Sequence, residues 1–306
     1  MLTFVARRTL STLPTLFLVV AISFFLIRLA PGGPFDLEQP LEAKVMENLR
    51  RIYQLDQPLW RQFLSYLTAL LQGDLGPSFY YRDFTVAELF AKALPISIRL
   101  GASALILALT VGLALGVTAA LRQNSGVDTA VVALATFGLT VPTFVTAPLL
   151  QIALGLWLAW LPVGGWNDGA VRNTILPILV LALPQIAVIA RLTRAAMIEA
   201  LRAAHIRTLR AQGLGLRTVV THALRSACLP VVSYLGPAAA ALLTGSIVVE
   251  TIFGIPGVGR YFIEGALNRD YTLVMGTVVL VAIFVILFNL AADIAYALLD
   301  PRVRHE

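Results

Sequence analysis

The chain has 306 residues, of which 58% are apolar and only 13% are charged, and its formal net charge is +6. A soluble domain averages about 45–50% apolar and about 25% charged residues. The composition therefore excludes an ordinary soluble enzyme, a disordered scaffold and a typical nucleic-acid-binding protein. The single cysteine, Cys228, excludes a disulfide framework and a multi-cysteine metal site. We expect an integral membrane protein with no metal site and no nucleic-acid partner.

Six uncharged stretches are long enough to cross a bilayer core, which takes about 20 residues of helix. They are Thr9–Ile27, Leu100–Leu121, Thr129–Asn167, Asn173–Ala190, Ser226–Val249 and Tyr271–Ala292. We expect each to be helical, because backbone polar groups in lipid must bond within their own segment. The third stretch has room for one span or for a tight hairpin of two.

The distribution of arginine indicates the topology. Between Arg191 and Arg225 lie seven arginines and one acidic residue, Glu199, and arginines also lie near both chain ends. Loops and ends of this kind are typically cytoplasmic. An even number of spans must then separate the N-terminus from this loop, so the third stretch holds one span, near residues 130–156. The sequence predicts an all-α membrane protein with six spans and both termini cytoplasmic.

The domain organisation follows from these spans. The first uncharged stretch, Thr9–Ile27, is longer than the apolar region of a signal peptide, and no small-residue cleavage site follows it. Both features favour a retained anchor helix over a cleaved signal peptide. Helical apolar spacing at Leu41–Tyr53 and Pro58–Leu71 predicts two short helices outside the membrane. The predicted segments are an anchor helix at 1–29, an extracytoplasmic helical loop at 30–95, a transmembrane domain at 96–299 and a cytoplasmic tail at 300–306.

The arginine-containing loop, Arg191–Pro230, has a helical composition of its own. Strong helix formers continue as far as Gln212. Gly213 and Gly215 then interrupt the pattern, and a second helical pattern runs from about Leu216 to Leu224. Glycine allows the backbone to turn sharply at this point. Two helices that meet at a glycine on a basic surface favour a docking site for a protein partner. A solvated loop against anionic lipid headgroups explains the charge equally well.

This loop resembles the coupling loop of ABC-importer permeases, whose general pattern is E-A-A-x-x-x-G followed by I-x-L-P. With the pattern's glycine placed at Gly213, the chain has Arg207, Thr208 and Leu209 where the pattern has its acidic residue and two alanines. It also reaches Leu229–Pro230 about one helical turn later than the pattern does. The departures are similar to the peptide-transporter branch, where R-T-x-R-A-x-G-L is usual. The matching residues are Arg207, Thr208, Arg210, Ala211, Gly213 and Leu214, with Leu209 in place of the branch's usual alanine.

The resemblance to the peptide branch extends over essentially the whole chain. It is carried by Arg7–Asp36, Leu55–Phe79, Gly245–Val274 and Asn289–Arg304, which look most like the B-type permease subunits of oligopeptide importers. The resemblance implies the type I ABC-importer permease architecture in a bacterial cytoplasmic (inner) membrane. It also implies a heterodimer with a second, homologous permease subunit, two cytoplasmic ATPase subunits and an extracytoplasmic peptide-binding protein.

The resemblance also assigns a docking site. A coupling helix at about Ala200–Gln212 would lie in a cleft of an ATPase subunit, with Leu209 in an apolar pocket. The docking residues would be Ala204, Arg207, Thr208, Leu209, Arg210, Ala211, Gly213 and Leu214. The chain lacks the G-x-x-x-x-G-K-[ST] phosphate-binding motif. We therefore expect no cofactor and no catalytic residue in this chain, with ATP and magnesium bound by the partner ATPase subunits.

A second candidate site follows the fifth predicted span. Glu250 and the glycines and proline of GIPGVG predict a tight loop at an outer gate, formed by Glu250, Gly254, Pro256, Gly257 and Gly259. Glu250 could contact a peptide's amino group or a gate partner, or it could be a boundary residue that reaches water. The G-x-x-x-G pair Gly112 and Gly116 could serve internal packing or a seam between permease subunits.

Other functions remain open at this point. Dipeptide and nickel importers are near relatives of the same branch. A secondary transporter driven by an ion gradient would need intramembrane acidic residues or paired broken helices, for which Glu250 and Asp293 are thin support. An intramembrane enzyme would need a nucleophile with its base, or a metal site, and no such set of residues is visible.

Overall fold

The computed structural model describes residues 2–29, 56–81 and 83–299. The regular structure of these residues is helical, apart from an isolated bridge between Pro77 and Thr85. The α-helices are α1 (Leu2–Leu29), α2 (Leu59–Leu71), α3 (Val86–Leu121), α4 (Gly126–Thr140), α5 (Thr143–Leu150), α6 (Val171–Arg202), α7 (Ala204–Ala211), α8 (Leu216–Phe253), α9 (Val258–Leu267) and α10 (Tyr271–Leu299). A π-helix, Gln151–Trp157, continues α5, and a short 3₁₀ turn, Asn167–Gly169, precedes α6.

Five of the described helices, α1, α3, α6, α8 and α10, are long and apolar enough to cross a membrane. A sixth crossing is formed if α4 and the segment Thr143–Trp157 count as one span. The prediction of an all-helical, multi-pass membrane protein is confirmed, with five or six spans in the described residues.

The third predicted span, near residues 130–156, is not a continuous helix. It is broken between α4 and α5, and the two parts meet at a bend of 106°. The break lies at Val141, which is extended (φ −82°, ψ 118°) and is followed by Pro142. Proline has no N–H to continue the hydrogen-bonding ladder, and it disfavours helical geometry at the residue before it.

The second span starts well before the predicted Leu100. Thr85 accepts a hydrogen bond from the Glu88 N–H, and the Glu88 carboxylate accepts one from the Thr85 N–H, so the two residues cap α3 at Val86. The first turns of α3 are buried against α9 and α10. The helix predicted at Pro58–Leu71 is confirmed as α2. The helix predicted at Leu41–Tyr53 and the tail at 300–306 lie outside the described residues.

Helices α3, α6 and α8 form the centre of the bundle. A Cβ added at Gly116 would lie 2.5 Å from the Thr193 Cβ of α6, and one added at Gly112 would lie 2.8 Å from the Ile189 Cγ2. The G-x-x-x-G pair therefore serves the close packing of α3 on α6 within this chain. At the edge of the bundle, Phe24 near the end of α1 packs with Met275 near the start of α10.

The bundle has two distinct ends. The arginine-rich end comprises the turn 122–125, α7 and the loop 212–215. The opposite end comprises helix α9 and the segments 72–81 and 83–85, which we call the loop 72–85.

Candidate functional site: a docking helix and a closed loop at opposite ends of the bundle

The arginine-rich end carries a short, separate helix where the coupling helix was predicted. Helix α6 stops at Arg202 because Ala203 is extended (φ −62°, ψ 150°), and α7 occupies Ala204–Ala211. The sequence prediction of one helix continuing to Gln212, with a coupling helix from about Ala200, is therefore wrong at its start. We call Ala204–Ala211 the docking helix.

The break at Ala203 is explained by packing rather than by local propensity. It turns the docking helix so that Ile206 is fully buried. Ile206 lies in an apolar cluster with side chains of α3, α6 and α8, namely Ala120, Met197, Ala200, Val219, Ala223 and Ala227. Burying a side chain of this size contributes about 1.5–3 kcal/mol. Ile206 is the fully buried side chain of the docking helix, and it fixes this helix to the junction of three long helices.

Most of the predicted docking residues point away from this cluster. The exposed members are Ala204, Arg207, Thr208, Arg210, Ala211, Gly213 and Leu214. Arg207 donates a hydrogen bond from Nε to the carbonyl of Arg202 at 3.1 Å. Leu209 differs from the rest, because it is half-buried against the Ile206 cluster. The exposed apolar side chains beside the docking helix are those of Leu214 and Leu216.

Gly213 closes the docking helix in a left-handed conformation (φ +77°). The Leu214 N–H donates to the Leu209 carbonyl at 3.2 Å, and the Gly213 N–H donates to the Arg210 carbonyl at 3.0 Å. This pair of bonds is the Schellman motif, which favours glycine at the left-handed position. No atom lies within 4 Å of a Cβ added at Gly213, so the backbone angle and not space requires glycine there.

An ion pair fixes the turn between α3 and α4 to α6 at the same end. Arg194 donates from Nε to Asp128 Oδ1 at 2.5 Å and from a terminal nitrogen to Asp128 Oδ2 at 2.7 Å. Asp128 Oδ2 also accepts the Asn124 N–H at 2.9 Å. Bidentate pairing of this kind holds both orientation and distance. The turn 122–125 and α6 therefore form one unit beside the docking helix.

The opposite end is organised around a buried carboxylate. Glu250 is fully buried near the end of α8. Its oxygens accept hydrogen bonds from the Ser97 hydroxyl at 2.6 Å and from the Gly259 N–H at 2.8 Å. Ser97 in turn accepts the Val258 N–H at 2.9 Å. The carboxylate lies at the N-terminus of α9, where a negative charge is stabilised by the helix dipole. Glu250 is not a boundary residue that reaches water; it ties α3, α8 and α9 together.

The remaining residues of the predicted gate loop surround this carboxylate. Gly254 is exposed and ends α8 in a left-handed conformation (φ +65°), Pro256 is half-buried, and Gly257 and Gly259 are buried. A Cβ added at Gly259 would overlap the Ile247 backbone. The loop is therefore folded tightly over Glu250. That close approach requires glycine at Gly257 and Gly259, whereas Gly254 has open space around it and is required by its backbone angle.

Two further acidic residues at this end are also bonded within the chain. Asp270 is fully buried, and its Oδ2 accepts bonds from the Ser78 hydroxyl at 2.5 Å and from the backbone N–H groups of Phe79 and Tyr80 at 2.9 and 3.0 Å. Glu264 accepts a hydrogen bond from the Tyr81 hydroxyl and pairs with Arg260 at 2.7 Å. Burial, together with the bond to Glu264, raises the pKa of Tyr81 well above its usual range. The loop 72–85 is thereby fastened to α9 and α10.

Sequence reasoning missed Ser97, Asp270 and the Asp128–Arg194 pair. The first two bond to residues more than 150 positions away, so no local spacing could reveal them. Ile206 had a weak signal, since it shares one helix face with Leu209 in an otherwise polar segment. Only the tertiary structure shows that this face turns inward.

The matches to known families cover both halves of the chain. A family described as "Binding-protein-dependent transport system inner membrane component" matches residues 112–305, and the corresponding N-terminal family matches residues 1–98. The chain belongs to this family. As an inner-membrane component of such a system, it is a multi-pass membrane protein of the transport permease type.

Curated members of the family align with the chain from end to end. The chain is 49% identical over 306 residues to the oligopeptide transport system permease protein OppB of Salmonella typhimurium and 50% identical to that of Escherichia coli K12, with all of each chain covered. It is 38% identical over 302 residues to the dipeptide transport system permease protein DppB of Bacillus subtilis, covering 98% of this chain and 97% of that one. The predicted resemblance to ABC-importer permeases of the peptide branch is confirmed.

Proposed function

We propose that this chain is the transmembrane permease subunit of an ATP-driven importer of oligopeptides. In this proposal the chain does no chemistry itself. It forms one half of a heterodimeric pathway with a second permease, receives peptides from an extracytoplasmic binding protein and is driven by two cytoplasmic ATPase subunits that hold ATP and magnesium. The observation that carries the proposal is the end-to-end similarity to oligopeptide permeases, together with an exposed docking helix at one end of the bundle.

The charge distribution supports an orientation in which the arginine-rich end is cytoplasmic. The seven arginines of residues 191–225 lie on the docking helix and on the adjoining parts of α6 and α8, as is typical of cytoplasmic segments. With α4 and the segment Thr143–Trp157 counted as one broken span, the described chain has six crossings. Both chain ends then lie on the cytoplasmic side, and α9 and the loop 72–85 lie outside.

The docking helix has the features that transmission of a movement requires. Its outer face offers Arg207 and Arg210, which can meet acidic groups, and Leu214 and Leu216 beside it can enter an apolar pocket. Its inner face is held by Ile206 at the junction of α3, α6 and α8. Because packed helices move as rigid bodies, closure of the ATPase pair would be passed through Ile206 to all three helices at once.

The test is uptake by the reconstituted complex. The chain, its partner permease and the two ATPase subunits are placed in proteoliposomes that contain ATP, and labelled oligopeptides are supplied outside with the binding protein. We expect accumulation that requires ATP and survives an uncoupler. Accumulation that follows an imposed ion gradient without ATP would instead support a secondary transporter.

A dipeptide importer is the second candidate, favoured by the 38% identity to the dipeptide permease over nearly the full chain. Dipeptides, and nickel as the other cargo of this branch, are offered in the same assay with the same binding protein. Preferential accumulation of either one over tri- to pentapeptides would replace the oligopeptide assignment while leaving the permease role intact.

A further inference from the structure

The break between α4 and α5 leaves backbone acceptors without partners. The Val141 N–H bonds to the Phe137 carbonyl at 3.1 Å, but the next donor along the chain is missing because residue 142 is proline. Among the described residues, no donor is seen to reach the carbonyls of Gly138, Leu139 or Thr140. Within the same part of the chain, the N–H groups of Thr143 and Phe144, at the start of α5, likewise reach no acceptor. A peptide carbonyl without a hydrogen bond is costly in an apolar environment.

If α4 and the segment Thr143–Trp157 form one broken span, the break lies at membrane depth. Helix α4 has 15 residues and starts beside the polar turn 122–125. At about 1.5 Å per residue, its end is about 22 Å from that turn, whereas the hydrocarbon core is about 30 Å thick. Irregular backbone does not face lipid at this depth, and it occurs only where it is covered by protein or lines a water-filled cavity.

The side chains of α4 divide it into three strips. Val131 and Ala135 are buried within the bundle. Leu134 and Phe137 form an apolar strip and are 67% and 65% exposed. The third strip, Thr129, Ala133, Thr136 and Thr140, is exposed and consists of small or polar residues. These four positions share one face because they are spaced by three or four residues.

The third strip adds acceptors to those of the break. The Thr136 and Thr140 hydroxyls donate to the carbonyls of Val132 and Thr136, at 2.9 and 2.8 Å. With their protons used in this way, both hydroxyl oxygens remain available as acceptors. The face that ends at the break therefore carries carbonyl and hydroxyl oxygens, and its neighbouring strip carries leucine and phenylalanine.

We propose that the threonine strip of α4 and the free carbonyls at the α4–α5 break line the translocation pathway and bind the backbone N–H groups of the peptide in transit. Backbone N–H groups and the terminal ammonium are donors common to all peptides, so these acceptors recognise a peptide without regard to its side chains. Water satisfies them when the pathway is empty. The inference deepens the proposed function and rests on it for the identity of the cargo.

The single cysteine of the chain makes a direct test possible. Cys228→Ala removes the native thiol, and Thr136→Cys, Thr140→Cys or Leu134→Cys then introduces one thiol in the threonine strip or, as the control, in the apolar strip. The reconstituted complex is treated with a membrane-impermeant methanethiosulfonate, and modification is read from the mass of this chain. A thiol reacts as its thiolate, and each unit of raised pKa lowers the thiolate fraction about tenfold. We expect both threonine positions to react at least about tenfold faster than Leu134→Cys.

Equal, slow modification at all three positions would overturn the proposal, because the break would then face lipid or the second permease. If the threonine positions react, tetra-alanine with the binding protein should slow modification at Thr140→Cys, and unchanged modification during active tetra-alanine uptake would overturn the peptide-binding role. The result is separable from the proposed function. Fast modification without oligopeptide uptake would reject the oligopeptide assignment, whereas uptake with slow modification would reject only the placement of the pathway.

Discussion

The two ends of the bundle use their polar residues in opposite ways. At the end with α9, Glu250 and Asp270 are fully buried, and Glu264 is bonded to Tyr81 and Arg260, so each carboxylate is committed to donors of the same chain. At the arginine-rich end, the docking helix keeps one apolar residue inside and leaves its arginines exposed. The α9 end uses its carboxylates within the chain, whereas the arginine-rich end leaves its charged groups exposed for a partner.

The difference separates structural from functional uses of similar motifs. Glycine-containing loops were predicted as sites at both ends, and both end a helix with a left-handed glycine. At Gly259 the missing side chain is required by packing around Glu250, whereas at Gly213 only the backbone angle requires it. A loop whose small residues are used for internal packing stabilises the fold. A glycine in open space beside exposed charges leaves a surface free for docking.

The largest effect is expected from Gly259→Ala. The added Cβ would overlap the Ile247 backbone and approach the Glu250 carboxylate, so α9 cannot keep its place on α8. We expect the variant to be poorly recovered in the membrane and to unfold at a much lower temperature in detergent. Gly126→Ala is the matched control, because nothing lies within 4 Å of its added Cβ. Equal thermal stability of the two variants would show that the opposite end is not closed by packing.

Ile206→Ala should be the next largest change. It removes the buried side chain that fixes the docking helix, and large-to-small core substitutions of this kind cost about 2–5 kcal/mol. A separate and larger apolar cluster also joins α3, α6 and α8. We therefore expect insertion and the α9 end to be preserved, while ATPase activity no longer responds to peptide. Leu214→Ala, at an exposed position, serves as the control for local stability measured by proteolysis of the loop. A docking helix as resistant to protease as in the unchanged chain would contradict the role of Ile206.

Gly213→Val tests the turn that ends the docking helix. The left-handed conformation costs a residue with a side chain about 1–2 kcal/mol, and a β-branched side chain tolerates it least. We expect normal membrane insertion with transport uncoupled from ATP hydrolysis, or with the ATPase subunits lost on purification. Gly213→Asn should retain most activity, because asparagine accepts this conformation. Normal transport per ATP hydrolysed by the valine variant would refute the assignment of the turn to coupling.

The smallest expected effect is a pH dependence of the α9 end. Burial raises the pKa of Tyr81 above the unfolded value of about 10. The unfolded chain therefore loses this proton first, so the stabilisation is complete below about pH 10 and declines as the pH rises beyond it. Burial also raises the pKa of Tyr261. Between pH 8 and 11, the unfolding temperature should fall more steeply for the unchanged chain than for Tyr81→Phe. Parallel curves of unfolding temperature against pH would argue against the Tyr81–Glu264 contact.

The sequence predicted the features that depend on neighbouring residues. Long apolar stretches predicted α1, α6, α8 and α10, spacing predicted α2, and Gly213 predicted the turn after the docking helix. The bend at Pro142 had a local signal that the span count did not use, since proline disfavours a helix at the residue before it. The other failures depended on distant partners. The break at Ala203, before the docking helix, depends on how the chain packs, and the helix formers around it give no signal of a break. Glu250 was noticed, but its partner Ser97 lies on another helix, so its burial could not be foreseen.

The contrast between the two ends can be tested most directly by crosslinking in the assembled transporter. A photo-reactive phenylalanine analogue replaces Thr208 on the exposed face of the docking helix or, for comparison, Leu267 on α9, which is 78% exposed. After illumination, mass spectrometry identifies the crosslinked partner. We predict an adduct with an ATPase subunit from position 208 and none from position 267. An ATPase adduct from position 267, or its absence from position 208 in a complex that still transports, would contradict the account.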